Sequence, residues 1–207
     1  MVLGGLSVWL KSPRLRSLSM AKVPDAVILA GGRGTRMLPG SLYMPKETMP
    51  LVDTPIINHL VWEACRAGAS RVHIVLLQGK KDLLGNALTS TGPLVDDDVR
   101  PDLPREALTV APEGVEIRLH VQGTPGGVAD AISVALPDIR GAFLVLLGDN
   151  LLMESCPGAG KTGVGSASNA CAELVERFAL TGRPCVGVLA VPEHELVKYG
   201  VVKLDGN

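Results

Sequence analysis

Asp25-Ala26-Val27-Ile28-Leu29-Ala30-Gly31-Gly32-Arg33-Gly34-Thr35-Arg36 runs from an apolar stretch into a glycine-rich loop, and Lys46 follows ten residues after Arg36. An apolar run without polar alternation is the pattern of a parallel strand buried on both faces. Glycines at its end bare backbone N–H groups that suit phosphate oxygens. Arg36 and Lys46 add the positive charge a triphosphate requires. The order of strand, glycine loop, arginine and lysine predicts a nucleotide site at the carboxyl end of a strand.

Working outward, Thr54-Pro55 predicts the opening of a helix, with proline at its first position and Ile57, Leu60, Val61, Ala64 and Cys65 on one face before Gly68 ends it. Residues 72–77 predict a buried strand, and residues 80–88 a helix with a weaker pattern. Residues 115–121 alternate as a strand, 128–136 read as a helix and 142–147 as a fully apolar strand. Cys171, Leu174, Val175 and Phe178 share one face of a helix over 168–180, and 185–191 follow as a strand. Residues 89–114 carry prolines at 93, 101, 104 and 112 and the triplet Asp96-Asp97-Asp98, which predicts an irregular surface excursion with solvated charge.

Alternating strands and helices predict an α/β fold, a Rossmann-like, mostly parallel mixed sheet with helices on both faces. Ligands in such folds bind beyond the carboxyl ends of the strands. The loop after Ala30 and the turn Gly148-Asp149-Asn150 after Leu147 both lie there, so two distant segments are expected to converge on one cleft.

With 207 residues, 46% hydrophobic content and a net charge of −1, the chain can bury the core of one soluble domain. Near-neutral charge and 3% aromatic content exclude a nucleic-acid surface, which needs a basic field or stacking rings. Cys65, Cys156, Cys171 and Cys185 are widely spaced, and His59, His73, His120 and His194 are scattered, so neither a zinc site nor a disulfide framework is indicated. The thiols read as idle in a reducing cytoplasm, and no apolar run has the length of a membrane span. Residues 1–19 hold Lys11, Arg14 and Arg16 behind an apolar start, the reverse of a secretory signal. Met20 makes a start codon assigned too early the preferred reading over a targeting peptide, with the domain proper over 20–207.

The stretch Ala30-Gly31-Gly32-Arg33-Gly34-Thr35-Arg36-Met37-Leu38-Pro39, followed by Met44-Pro45-Lys46-Glu47 and Leu51-Val52-Asp53-Thr54-Pro55, resembles the sugar-phosphate nucleotidyltransferase family. Within that family it is most similar to the UTP–glucose-1-phosphate uridylyltransferases. Gln122-Gly123-Thr124-Pro125-Gly126-Gly127-Val128-Ala129 matches the family's Q-x-x-P-x-G-x-A segment, Gly148-Asp149 its G-D motif and Tyr199-Gly200-Val201-Val202 its Y-G-V-V segment. The resemblance runs from about Val23 to about Asp205.

The resemblance implies transfer of a nucleotidyl group from an NTP to a sugar 1-phosphate, giving an NDP-sugar and pyrophosphate. UTP and glucose 1-phosphate are the first reading. dTTP is the alternative, because Val128-Ala129-Asp130-Ala131 leans toward the thymidylyl pattern while Pro45-Lys46-Glu47 leans toward the uridylyl one. It further implies that Ala30, Gly31, Gly32, Gly34 and Thr35 hold the nucleotide, Arg36 the departing pyrophosphate and Lys46 the reacting phosphate. Asp149 would bind Mg²⁺, and Asn150 and Gly200 would lie on the sugar side. Gln122 can pair with the O4 and N3–H edge that uracil and thymine share, and Gly127 allows close backbone approach. A homo-oligomer stays open.

The family continues past its Y-G-V-V segment with further sugar- and metal-binding residues, so a domain incomplete at its C-terminus is expected for a sequence ending at Asn207. Two rivals have their own residues. Ser155-Cys156-Pro157-Gly158-Ala159-Gly160-Lys161-Thr162 is close to a P-loop, with Ser155 where the first glycine belongs, which would make an NTPase acting through Lys161. A nucleotide-binding regulatory relative is the non-catalytic reading, and Arg36, Lys46 and Asp149 together argue against it. The loop reads G-G-x-G-T-R rather than G-x-G-x-x-G, which disfavours a dehydrogenase.

Overall fold

The computed structural model describes residues 23–51, 53–89, 109–152, 169–188, 190–198 and 200–202. The chain divides into two compact units, one over Lys22–Ala172 and one that includes Glu173–Asn207. The excursion over 90–108, the Lys161 segment, Cys156 and residues 1–19 lie outside the described residues.

The first unit is built on a four-stranded sheet of β1 (Asp25–Leu29), β4 (Arg71–Leu77), β5 (Glu116–Gln122) and β6 (Phe143–Leu147), in the order β5-β4-β1-β6. Every pairing in it is parallel, with Val27 opposite both His73 and Val145. The only antiparallel pairing among the described residues is a separate two-residue ribbon of β2 (Pro50–Leu51) and β3 (Thr54–Pro55). β1 and β4 are buried along almost their whole length, as their unbroken apolar sequences require. β6 differs from its expected full burial: Leu144 and Leu146 are buried but Val145 and Leu147 are 42% and 38% exposed, because β6 is an edge of the described sheet.

Helix α1 (Ile56–Arg66) buries Ile57, Leu60, Val61 and Ala64, as the apolar spacing predicts. Pro55 caps it instead of occupying its first turn, since Thr54 and Pro55 are drawn into the ribbon with Pro50 and Leu51. Its end is a Schellman motif: Gly68 N–H donates to Cys65 O and Ala69 N–H to Ala64 O, which needs the positive φ of 101° that Gly68 supplies. α2 (Gln78–Thr89) lies on the sheet face of Leu119, with Gly85 against that side chain. α3 (Val128–Ala135) covers the opposite face, packing Ala131 and Ala135 with Val27 and Val75. Helices therefore flank both faces, as expected. Burial pushes the Cys65 thiol up to about 11 and the Cys171 thiol further, so both are inert at neutral pH.

The turn after β6 has a strict steric condition. A Cβ at Gly148 would lie 2.6 Å from Leu29 O and 3.2 Å from Ala30 Cα, while the Gly148 N–H donates to that same Leu29 carbonyl at 2.9 Å. Any side chain here would push β6 off β1. Gly148→Ala is expected to destabilise the protein by about 1–3 kcal/mol, the ordinary cost of overpacking. A lower urea midpoint at unchanged denaturant slope checks it.

In the second unit, the last part of α4 (Ala170–Thr181) is followed by Glu193–Lys198 in 3-10 conformation. The strand expected over 185–191 does not form: its described residues have no ladder, and Val186 is 76% exposed. An apolar run becomes a strand only where a neighbour satisfies its backbone, and none is described beside it. Of the Y-G-V-V segment, Gly200 and Val201 are irregular and Val202 makes an isolated bridge; Tyr199 lies outside the described residues.

Candidate active site

The strand order puts β4 and β5 on one side of β1 and β6 on the other, so the chain reverses direction across the sheet between β1 and β6. Such a switch point opens a crevice at the carboxyl ends of the two strands. The glycine loop leaves β1 there and Gly148-Asp149-Asn150 leaves β6 beside it, as the sequence predicts. Ala30 is buried and its N–H donates to Val75 O at 2.9 Å, which fixes the loop's root. Gly34, at a φ of 70°, starts the 3-10 turn Thr35–Met37 and accepts a 2.7 Å hydrogen bond from the Ser41 hydroxyl. Gly32, Thr35 and Arg36 are exposed, and among the described residues Arg36 has no hydrogen-bond or ion-pair partner.

Lys46 is not a free cation. Its Nζ donates to Asp149 Oδ2, joining the residue expected to meet phosphate to the one expected to bind metal across 103 positions of sequence. The lysine is mostly covered while the Asp149 side chain is 54% exposed, and Gly32 lies against the lysine's Nζ end. Asn150 is exposed, and its N–H donates to Leu147 O at 3.1 Å. Lys46, Asp149, Asn150 and the glycine loop thus gather at the ends of β1 and β6. Gly200 falls in the second unit, exposed.

Gln122 ends β5 and is 4% exposed. Its Nε2 donates to Asp130 Oδ2 at 2.5 Å and, at 3.4 Å, to Gly127 O. A carboxylate can face only the NH₂ side of an amide, so Asp130 sets the orientation and turns Oε1 toward Gly31. A Cβ at Gly31 would come 2.9 Å from that oxygen, so a side chain here would displace the amide from the position Asp130 sets. Gly127 has a φ of 96° with open space around it, and Asp130 sits in the first turn of α3, where the helix dipole favours an anion.

Sequence reasoning missed Lys80 and Glu47. Lys80, in the first turns of α2, reaches across to the loop and donates to Ala30 O at 2.8 Å, Gly32 O at 2.6 Å and Glu47 Oε2 at 2.7 Å. Glu47 is 1% exposed and its Oε1 has no partner among the described residues. One ammonium thus holds the two carbonyls that flank Gly31 and anchors the lysine segment through a buried ion pair. The one signal for it was the carboxylate next to Lys46 in Pro45-Lys46-Glu47, an acid with no evident task in binding phosphate.

The sequence profile of the nucleotidyl transferase family matches residues 25–207. The chain is 32% identical over 185 residues to a UTP–glucose-1-phosphate uridylyltransferase of Haemophilus influenzae, covering 87% of this chain and 60% of that protein. It is 30% identical over 195 residues to the Bacillus subtilis protein of the same name, covering 88% and 59%. Among solved structures, a UDP-glucose pyrophosphorylase from Acinetobacter baumannii superposes with a TM-score of 0.73 at 27% identity, over 89% of this chain and 62% of that one. A UTP-bound form from the same organism gives 0.62 at 26% identity, over 77% and 54%. The chain spans about three fifths of the length of the relatives it matches. With the β1–β6 crevice and its glycine loop in place, this match establishes that the chain belongs to the nucleotidyl transferase family.

Proposed function

We propose that the chain carries the nucleotide-binding part of an enzyme that transfers uridylyl from UTP to glucose 1-phosphate, releasing pyrophosphate. The observation that carries this reading is the meeting of Lys46 and Asp149 beside the glycine loop, in a family whose similar members are named for that reaction. A phosphate oxygen of the sugar phosphate attacks the α-phosphorus of UTP, and the bond to the bridging oxygen of pyrophosphate breaks. The nucleophile is already an anion, so no general base is required. Catalysis of this kind rests on positioning and on stabilising charge. The loop N–H groups and Arg36 hold the triphosphate, and Lys46 leaves Asp149 to face the phosphoryl oxygens.

Asp149 is the residue that would hold magnesium. An exposed carboxylate at a strand end, beside a phosphate-binding loop, fits an ion that takes one or two carboxylates with phosphate oxygens and water. When bound, the ion neutralises phosphate charge. Asp149 would then hold the cation in place of Lys46, and Lys46 would be free to face phosphate, so that neither side chain would be left without an opposite charge.

Gln122 supports a pyrimidine base through its amide: Oε1 is the acceptor, and one of the N–H groups now given to Asp130 and Gly127 would turn to the base as donor. Calorimetry is expected to give tighter binding of UTP and dTTP than of ATP. Gln122→Met, which removes the amide without setting a second carboxylate against Asp130, is expected to weaken UTP binding about tenfold, the worth of roughly one hydrogen bond. Equal affinity for ATP and UTP in the unmodified protein would sink this reading. A pyrophosphate-release assay across UTP, dTTP and several hexose 1-phosphates tests the transfer itself.

A further inference from the structure

On the sheet face covered by α3, two of the scattered histidines meet. His73 Nδ1 of β4 lies 2.9 Å from His120 Nε2 of β5, and Asp138 Oδ2, in the turn after α3, lies 3.9 Å from that same His120 nitrogen. One donor atom from each of the three residues lies within 4.8 Å of the other two. Tetrahedral zinc, with bonds of about 2.0–2.2 Å, sets its donors roughly 3.3 Å apart. The His73–His120 edge would lengthen by about 0.4 Å and the His120–Asp138 edge shorten by about 0.6 Å to reach that size, with the remaining edge closing from at most 4.8 Å. Arg118 Nη1 is 3.9 Å from the other Asp138 oxygen, Oδ1, which leaves Oδ2 for a metal.

What stands behind His73 is the second observation. Asp25 is fully buried, with Oδ1 3.2 Å from His73 Nε2, and Arg71 grips its carboxylate from Nε at 2.7 Å and Nη2 at 2.8 Å. A carboxylate there keeps the His73 proton on Nε2, so the Nδ1 lone pair faces His120. This is the order in which metal-binding histidines are held, with the outer nitrogen donating to a carboxylate and the inner one free to ligate. In the metal-free pair a hydrogen on His120 Nε2 fills the space between the rings. A cation would take its place while that hydrogen moves to His120 Nδ1.

We propose that His73 Nδ1, His120 Nε2 and Asp138 Oδ2 form a binding site for a zinc-class divalent cation, with Asp25 and Arg71 as its positioning pair. Two imidazoles and one carboxylate favour zinc or cobalt over magnesium, so this site does not compete for the ion expected at Asp149. Asp138 is 48% exposed, so solvent reaches a fourth position from its side. The cation would tie β4, β5 and the Leu136–Asp138 turn together, steadying the strand on which Gln122 follows His120 by two residues.

The full chain, freed of metal by a chelator, is dialysed against Zn²⁺ and the bound zinc counted by atomic emission. Co²⁺ serves as the optical probe, its visible absorption reporting imidazole coordination. The expected result is one zinc that His120→Gln and Asp138→Asn each weaken about tenfold or more, while exposed His194→Ala leaves it unchanged. Zinc is expected to raise the melting temperature of the unmodified chain and not of the two variants. Asp138→Asn alters only a surface carboxylate, so it tests the site even if His120→Gln fails to fold. Absence of stoichiometric zinc, or full affinity in either variant that circular dichroism shows to be folded, overturns the proposal.

Discussion

Replacing Lys46 with alanine is expected to lower nucleotidyl transfer by about 10²–10³-fold, the range found when one preorganised electrostatic contact is taken from a reacting centre. On the proposed reading the loss should fall on turnover more than on UTP affinity, because Lys46 is paired with Asp149 in the free chain and would face phosphate only once the nucleotide is bound. The same variant frees Asp149, so magnesium alone should bind the altered protein more readily than the original. Calorimetry with Mg²⁺ in the absence of nucleotide checks that arm. Lys161→Ala, in the segment that resembles a P-loop without its first glycine, is expected to leave nucleotide affinity unchanged. A reversed pair of results, with Lys161 essential and Lys46 dispensable, would favour the NTPase rival.

What the sequence made legible is what depends on local pattern. β1 and the loop after it could be read because a buried parallel strand leaves no choice but an apolar run, and because positive φ and close approach leave few choices but glycine. The convergence of Gly148-Asp149 on that loop was expected because both segments follow the carboxyl ends of apolar strands. Contacts closed through space were not legible. His73 and His120 are 47 positions apart and face each other only because β4 and β5 pair with His73 opposite Arg118. The strand expected over 185–191 failed for a related reason: its apolar pattern was sound, but a strand's backbone is satisfied by a neighbour that sequence does not display. Gln122 was found while its partner Asp130 was noted only as a family leaning, since a carboxylate one helical turn into α3 looks like ordinary surface charge.

Lys80→Met is expected to cost about 3 kcal/mol of stability, seen as a urea midpoint lower by roughly 1.5 M. The cause is what the variant leaves behind. Glu47 is buried, one of its oxygens already lacks a described partner, and loss of the ammonium strands the other along with the carbonyl of buried Ala30. A buried charge without its counterion is among the more expensive single defects a protein can carry, and a methionine fills the volume of the lysine stem without supplying a donor. Lys80→Met combined with Glu47→Gln should recover part of the stability, because the neutral amide is cheaper to bury than the unpaired carboxylate. It should not recover nucleotide binding, since the two loop carbonyls still lack the ammonium that holds Gly31 in place. The double variant therefore separates two roles that the single one confounds. Restored stability with a persistently raised KM for UTP marks Lys80 as the brace of the phosphate loop, and recovery of both would show that the buried ion pair alone was the reason for it.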